Sequence, residues 1–253
     1  MLKSGVTSLA LLCSLFLHMS PATAEELPRA QEPLIAKKTS KEKTMTLNTK
    51  QKSMIPIAAF TSTGNLEKLK LAFESALDAG LTVNEAKEIP VHLYAYVGFP
   101  RSLNGLGALM TVLEERKARG IKDEQGPEPS PLPEDWDSLE QGTKVQTQLS
   151  GSPVEGPLFD FAPVANEYLR SHLFGDIFAR DVLSYQDREV VTVAALSSLE
   201  GVEPQLKAHM NISMNAGLTE KALRNIVTVL RSEVGEPEAQ RAQDALAQHL
   251  EKK

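Results

Sequence analysis

Three side chains capable of acid–base chemistry or hydrogen bonding follow one another at four-residue spacing, namely Glu88, His92 and Tyr96. In an α-helix this spacing places a carboxylate, an imidazole and a phenol on one face. The arrangement is typical of an acid–base site, in which the imidazole moves a proton near neutral pH. A structural Glu–His pair with the tyrosine packed in the core is the alternative. One histidine and one carboxylate are also half of a metal site, but no third ligand is evident, so we expect neither zinc nor another cofactor.

The sequence contains a single cysteine, Cys13. It lies in a stretch with the features of a secretory signal, namely a positive charge at Lys3, a short apolar run and the small residues Ala22-Thr23-Ala24. We expect cleavage after Ala24, which would place the mature protein outside the cytoplasm, in the periplasm where the cell has one. The apolar run at 6–19 is too short for a stable membrane anchor. The mature chain would then lack a thiolate nucleophile, a disulfide and a thiolate metal ligand.

The composition favours a helical protein that does not bind nucleic acid. Hydrophobic residues make up 42% of the chain and charged residues 24%, which is enough for a globular core. Aromatic residues make up only 5%, so the core must consist mainly of Leu, Ala, Val, Ile and Met, which favours helices over a β-sandwich. The net charge is −6 without a basic stripe interleaved with aromatic residues, which argues against a nucleic-acid partner.

Two segments of helical periodicity resemble each other. Residues 47–52 align with 183–188 at an offset of 136 residues, and after a one-residue shift Ala-Gly-Leu-Thr at 79–82 aligns with the same tetrapeptide at 216–219. Such similarity predicts two diverged copies of one helical unit. The periodicity predicts helices at about 48–62, 66–79, 83–97 and 100–119 in the first copy, and at about 184–199, 204–216 and 220–232 in the second.

The shared tetrapeptide has a structural meaning. Gly80 and Gly217 suit the left-handed position that ends a helix. Thr82 and Thr219 would then be the N-caps of the next helices, and Glu85 would complete a capping box with Thr82.

The chain therefore divides into five regions: a signal peptide at 1–24, a flexible polar leader at 25–45, a first repeat at 46–119, a linker at 120–157 and a second repeat at 158–253. The linker is rich in Pro and Gly and would be a simple connection or an ordered excursion over the surface. The predicted fold class is all-α, with two diverged helical repeats joined by this linker. We also expect an amphipathic helix over 168–180, and kinks at Pro56 and Pro90.

Several motifs of the second copy are similar to a known family. They are the Arg188-Glu189 pair at a helix start, an Ala-Ala-Leu run at 194–196, a Gln-Leu-x-x-His segment ending at His209 and an Asn-x-Gly-x-Thr corner at 215–219. The Glu-x-x-x-His-x-x-x-Tyr-x-Gly-x-Pro stretch at 88–100 matches a later part of the same pattern. Both copies resemble the carboxymuconolactone decarboxylase family, which also contains the alkylhydroperoxidase-like proteins. The resemblance implies two alkylhydroperoxidase-like helical repeats and a homo-oligomer, commonly a trimer or a hexamer.

The resemblance implies two kinds of chemistry. Some members are thiol peroxidases with a Cys-x-x-Cys pair, but the matching positions here are Val202 and Gln205, so a peroxide-reducing role ranks third. Other members are decarboxylases. Glu189 and His209 match the family's glutamate and histidine and would lie on adjacent helices of one hairpin, where the carboxylate fixes the imidazole tautomer. We predict that Arg188, together with the first copy's glutamate and tyrosine, contacts the substrate.

Neither copy carries the full set of polar residues. The first copy has Ser53 and Ala72 where the second has Glu189 and His209, and the second has a valine where the first has His92. We therefore hypothesise one composite pocket that joins these three groups, within a chain or between subunits. The predicted activity is cofactor-free lyase or isomerase-type acid–base chemistry on a small carboxylated or lactone-like substrate. The alternative is a non-catalytic module for small-molecule binding or oligomerisation.

Overall fold

The computed structural model describes residues 46–251, and the signal-peptide and leader predictions lie outside these residues. Over 46–251 the fold is all-α, as predicted, and contains no extended strand. Within the same range no helix has both the length and the apolar character needed to cross a membrane. The helices are α1 Thr49–Thr63, α2 Leu66–Asp78, α3 Val83–Ala118, α4 Ser138–Ser150, α5 Pro157–Phe161, α6 Pro163–Tyr168, π1 (a π-helix) Leu169–Ile177, α7 Tyr185–Ser197, α8 Glu203–Asn215, α9 Glu220–Val229, π2 Leu230–Val234 and α10 Glu236–Leu250.

The corner between the second and third helix of each repeat is built as the tetrapeptide predicts. Gly80 and Gly217 have φ angles of 88° and 108°, in the left-handed region. The Thr82 side chain accepts from the Glu85 backbone N–H, and the Glu85 carboxylate accepts from the Thr82 backbone N–H, which completes the capping box. Thr219 caps α9 in the same way through its hydroxyl. These local hydrogen bonds satisfy backbone donors that the helix itself leaves free, so the helix starts at the same place in both copies.

The two repeats pack against each other through α1 and α7. Asn48 and Ser184 begin these helices with matching capping boxes. The Gln51 side-chain amide donates to the Asp187 carboxylate at 2.9 Å, and these two residues are separated by the repeat offset of 136. Equivalent residues therefore lie together where the two repeats meet, as they would close to a local two-fold axis. Both helices are buried on nearly all sides and form the centre of a core to which both repeats contribute.

The helical backbone continues through both prolines, so the expected kinks are not where the prolines are. Pro56 lies inside α1 and Pro90 inside α3, without a departure from helical φ and ψ angles at either residue. The break in α3 comes instead at Gly98, with φ 76° and ψ 162°. The Ser102 hydroxyl then donates to the Pro90 carbonyl at 2.8 Å, which ties the two parts of α3 together.

The region predicted as a linker contains a 13-residue helix, α4. It packs closely on π1, which replaces most of the amphipathic α-helix expected over 168–180. Two glycines allow this contact, because a Cβ on Gly142 would lie 1.9 Å from the Arg170 carbonyl oxygen and one on Gly175 would lie 2.0 Å from that of Ser138. The two helices form a second apolar cluster that also includes Tyr185 and Ile212. This cluster covers the side of α7 and α8 on which the candidate site lies.

Candidate functional site

A buried carboxylate–imidazole pair lies between α7 and α8. His209 Nδ1 is 2.8 Å from Glu189 Oε2, and the Ser213 hydroxyl lies 3.5 Å from the same oxygen. Glu189 is fully buried, whereas the His209 side chain is 10% exposed. His209 Nε2 makes no hydrogen bond to a described residue. A fully buried nitrogen without a partner would be one of the unsatisfied buried atoms, and Nε2 is not one of them, so it lies in the exposed part of the ring. An ionised carboxylate only accepts, so Nδ1 carries the proton and Nε2 presents a lone pair to the outside.

The helical face predicted on α3 points into the second repeat. His92 is fully buried, its Nε2 lies 2.8 Å from the Thr192 hydroxyl oxygen, and its Nδ1 lies 3.2 Å from Arg188 Nη1. An arginine can only donate, so Nδ1 of His92 accepts and Nε2 must carry the proton that it donates to Thr192. Both ring nitrogens are therefore occupied by protein groups.

Electrostatics keep the His92 ring neutral. Its pKa lies well below the usual value, first because burial disfavours the charged ring and then because the nearby positive charge of Arg188 opposes protonation, with a smaller electrostatic contribution from the second histidine, His209. A neutral ring whose two nitrogens are both bonded to protein groups would have to give up one of these bonds to reach a substrate. His92 was predicted as a catalytic residue, and that role remains untested. Its surroundings suit a residue that holds the neighbouring side chains in place.

Glu88 is shared by two arginines. Arg188 Nη2 donates to Oε1 of Glu88 at 2.7 Å, and Arg180 donates to both oxygens through Nε at 3.0 and 3.1 Å. Arg188 also donates to the Arg180 carbonyl at 2.6 Å. The Arg188 and Glu88 side chains are 0% and 2% exposed, so a substrate would have to displace an existing ion pair to reach either, whereas the Arg180 side chain is 40% exposed. Substrate contact by Glu88 or Arg188 stays a prediction, and in this structure each is the other's partner.

Tyr96 lies between the two histidines. Its ring centroid is 5.3 Å from that of His92 and 5.6 Å from that of His209, the latter in an edge-to-face arrangement. Burial, together with the negative charge of Glu189, raises the pKa of Tyr96, although nearby Thr192 and Arg188 oppose this, so the phenol keeps its proton. Oε1 of Glu189 is buried without a hydrogen-bond partner among the described residues, and the Tyr96 hydroxyl is buried close to the Thr192 side chain. A buried polar atom without a protein partner is costly, so this carboxylate oxygen can accept a hydrogen bond from a water molecule or a ligand.

The predicted site residues of both repeats thus form one continuous group within a single chain. The group runs from Glu88 and Arg188 through His92 and Tyr96 to the dyad in the second repeat. Sequence reasoning missed Thr192, because a threonine in an apolar helix is usually a packing residue and carries no signal of its own. It also missed that Arg180 pairs with Glu88 across 92 positions of sequence.

The described residues offer neither a metal-ligand cluster nor a pair of redox cysteines at the site. Among residues 46–251 no three His, Cys, Asp or Glu side chains are grouped so that they could hold a metal ion. The positions of the family's redox cysteines are occupied by Val202, which precedes α8, and by Gln205, in the first turn of α8.

The comparison with protein families agrees with the fold and with the order of the motifs. The model of the carboxymuconolactone decarboxylase family matches residues 37–110 and 163–248, which is more than half of the chain. The chain belongs to the carboxymuconolactone decarboxylase family. The two matched segments correspond to two helical repeats, so this member of the family is a tandem one. The search of curated proteins found no match to the chain.

Proposed function

We propose that this carboxymuconolactone decarboxylase family member catalyses cofactor-free acid–base chemistry on a small carboxylated or lactone-like substrate. The observation that carries the proposal is the dyad of Glu189 and His209, whose Nδ1 is held by the carboxylate at 2.8 Å while Nε2 faces outward. A buried carboxylate fixes the imidazole tautomer and stabilises the imidazolium that forms when Nε2 takes up a proton.

In an isomerisation, Nε2 of His209 would take a proton from the carbon next to the substrate carbonyl. The electron pair of the broken C–H bond would form an enolate, and the imidazolium would return the proton to another carbon. The Tyr96 hydroxyl keeps its proton, and its ring lies 5.6 Å from that of His209, so it is the proposed donor to the enolate oxygen.

In a decarboxylation, the bond between the carboxylate carbon and its neighbour would break and carbon dioxide would leave. The electron pair of that bond would stay on the neighbouring carbon as an enolate, and protonated His209 would deliver its Nε2 proton there. The only co-reactant is a proton, so neither step needs an oxidant or a reductant. Of the two arginines on Glu88, Arg180 is the one with exposed surface for a substrate carboxylate.

The test compares the purified wild-type protein with His209→Gln on a panel of lactone carboxylates, following carbon dioxide release and, by NMR, double-bond migration. Glutamine retains a polar side chain but cannot transfer a proton, so we expect turnover to fall by about 10²–10⁴-fold. His172→Gln is the matched control, because His172 is exposed and pairs with Asp176 outside the dyad. Activity that is undiminished in His209→Gln would remove the histidine from its proposed role.

The second candidate is a non-catalytic module for small-molecule binding or oligomerisation. The observation that favours it is the full burial of Arg188, Glu189 and His92, since a closed polar network can also serve to specify packing between repeats. A wild-type protein that is inert on the whole panel would support this candidate. A peroxide-reducing role ranks third because the redox positions hold Val202 and Gln205, and thiol-dependent peroxide turnover would contradict that ranking.

We further propose that the protein is exported with cleavage after Ala24 and that it forms a trimer or hexamer. Intact-mass spectrometry of the secreted protein should give a mature chain beginning at Glu25. Light scattering during gel filtration should give three or six times the mass of one chain. A retained N-terminus or a monomer would contradict the respective proposal.

A further inference from the structure

The first repeat contains a cleft that is separate from the Glu189–His209 dyad. It has a volume of about 560 Å³ and lies over α1 and α2, with one side chain from the end of the second repeat. Ligand clefts in proteins commonly have volumes of about 300–1,000 Å³, so the space is sufficient for a small organic molecule. Its lining residues include Lys52, Phe60, Lys68, Leu71, Ala72 and Glu233.

The cleft occupies the place in the first repeat that the Glu189–His209 site occupies in the second. The repeat offset of 136 relates Lys52, Ser53 and Pro56 to Arg188, Glu189 and Thr192. After the one-residue shift, an offset of 137 relates Ala72 to His209 and relates Tyr96 to Glu233. The five residues that correspond to Arg188, Glu189, Thr192, His209 and Tyr96 all line the cleft, namely Lys52, Ser53, Pro56, Ala72 and Glu233. The duplication therefore produces two sites per chain, and only one of them has retained the acid–base pair.

The loss of the acid–base pair leaves a cleft with a different chemistry. Pro56, Phe60 and Leu71 provide apolar surface, and Lys68 Nζ lies 5.4 Å from the centre of the Phe60 ring. Neither Lys52 nor Lys68 has a carboxylate within 4.0 Å among the described residues, although Glu233 lines the same cleft. Two unpaired ammonium groups above an apolar floor favour a ligand with one negative charge and a hydrophobic body.

The chain's own N-terminal leader is a poor candidate for the occupant. Residues 25–45 contain five basic and four acidic residues, so the leader has no net negative charge to complement the two cleft lysines. Charge complementarity instead points to an anion. We propose that the first repeat binds a small organic monocarboxylate in this cleft, with its carboxylate between Lys52 and Lys68 and its apolar part against Phe60. The site has no proton-transferring pair, so it binds the ligand without converting it.

The test uses 4-phenylbutyrate as the probe on the full-length mature protein, with 4-phenylbutanol as its uncharged analogue. Methyl NMR should show saturable shifts at the Leu71 and Ala72 methyl groups with the acid, and at least tenfold weaker binding of the alcohol. Lys52→Gln/Lys68→Gln should weaken binding of the acid by about tenfold or more, because a charged hydrogen-bond partner is typically worth that factor. Glu233→Gln should tighten it, since it removes a like charge.

The matched control is Lys117→Gln/Lys122→Gln, which removes the same net charge from two exposed positions outside the cleft and should leave the affinity unchanged. Any of three results would overturn the proposal. They are equal binding of the acid and the alcohol, equal weakening by both double variants, and shifts confined to methyl groups near His209. The His209→Gln variant should bind the probe at this cleft as the wild type does. Failure here is therefore distinguishable from failure of the proposed activity.

Discussion

The buried ion pair between Glu88 and Arg188 offers a sharp test of how the two repeats are held together. Glu88→Gln retains the shape of the side chain and removes its charge. Arg188 is fully buried, and burial already lowers its pKa despite the opposing effect of Glu88. Without the carboxylate, the arginine would remain buried with no negative charge in direct contact.

The magnitude follows from the burial of the two partners. Removal of one partner from a buried ion pair typically costs about 3–5 kcal/mol. The contact of Glu88 with Arg180 adds little, under about 1 kcal/mol, because the arginine is 40% exposed and screened by solvent. Glutamine can still accept one hydrogen bond from Arg188, so we expect the lower end of the range, about 3 kcal/mol. For a chain of this length that corresponds to a melting temperature lower by roughly 6–12 °C.

The assay is urea and thermal unfolding followed by circular dichroism. Lys144→Gln is the control, because it breaks an exposed helical ion pair with Glu140 and should cost under about 1 kcal/mol. The double variant Glu88→Met/Arg188→Met removes both charges and should recover most of the lost stability. If Glu88→Gln unfolds within about 1 kcal/mol of the wild type, the pair is not under the electrostatic constraint inferred from its burial.

Three further predictions concern the dyad, the buried histidine and the break in α3. Glu189→Gln places an amide donor beside His209 and disfavours the tautomer that carries its proton on Nδ1. Turnover should therefore fall by about 10²-fold or more with little change in KM. Turnover equal to that of the wild type would contradict the proposed role of the dyad. His92 stays neutral in the folded state, whereas in the unfolded state it gains a proton below about pH 6.5. Below that pH the unfolded state therefore binds more protons, and the free energy of unfolding falls by up to about 1.4 kcal/mol for each pH unit of acidification. Urea unfolding at several pH values should show that His92→Asn loses this part of the slope, and identical slopes would refute it. Gly98→Ala should lower the free energy of unfolding by about 1–3 kcal/mol, because Gly98 has a positive φ. Gly107→Ala is the control, because Gly107 lies in open space within the same helix and its substitution should be neutral or slightly stabilising. Equal effects of the two substitutions in thermal unfolding would show that φ is not the constraint.

Local sequence signals predicted most helix boundaries to within one or two residues. Thr82, Thr219 and the glycines before them act through hydrogen bonds to residues a few positions away, so their effect can be read without knowledge of the fold. The helix α4 was not predicted from the sequence, because its burial depends on a contact with a distant segment. Its buried stripe consists of Gly142, Val145, Gln146 and Leu149, half of which are not hydrophobic, and the glycine is buried only because π1 crosses at that point.

The candidate site shows the same division between local and long-range information. The face of Glu88, His92 and Tyr96 follows from helical spacing, and the pairing of Glu189 with His209 was expected from the family resemblance. What each group binds was not predictable, because the partners of His92 lie about a hundred positions away. Residue type alone does not distinguish an arginine that meets a substrate from one that meets a buried carboxylate.

The sequence by itself determined the helical periodicity, the helix caps and the duplication, since these depend on residues close together in the chain or on direct similarity between its halves. Only the tertiary structure shows that the two halves pack through α1 and α7 and bring one repeat's histidine against the other's arginine. It also decided that the second, pseudo-equivalent position remains a cleft. The physical reason is that packing of α1 on α7 sets which distant side chains become neighbours, and burial there then sets their charge states.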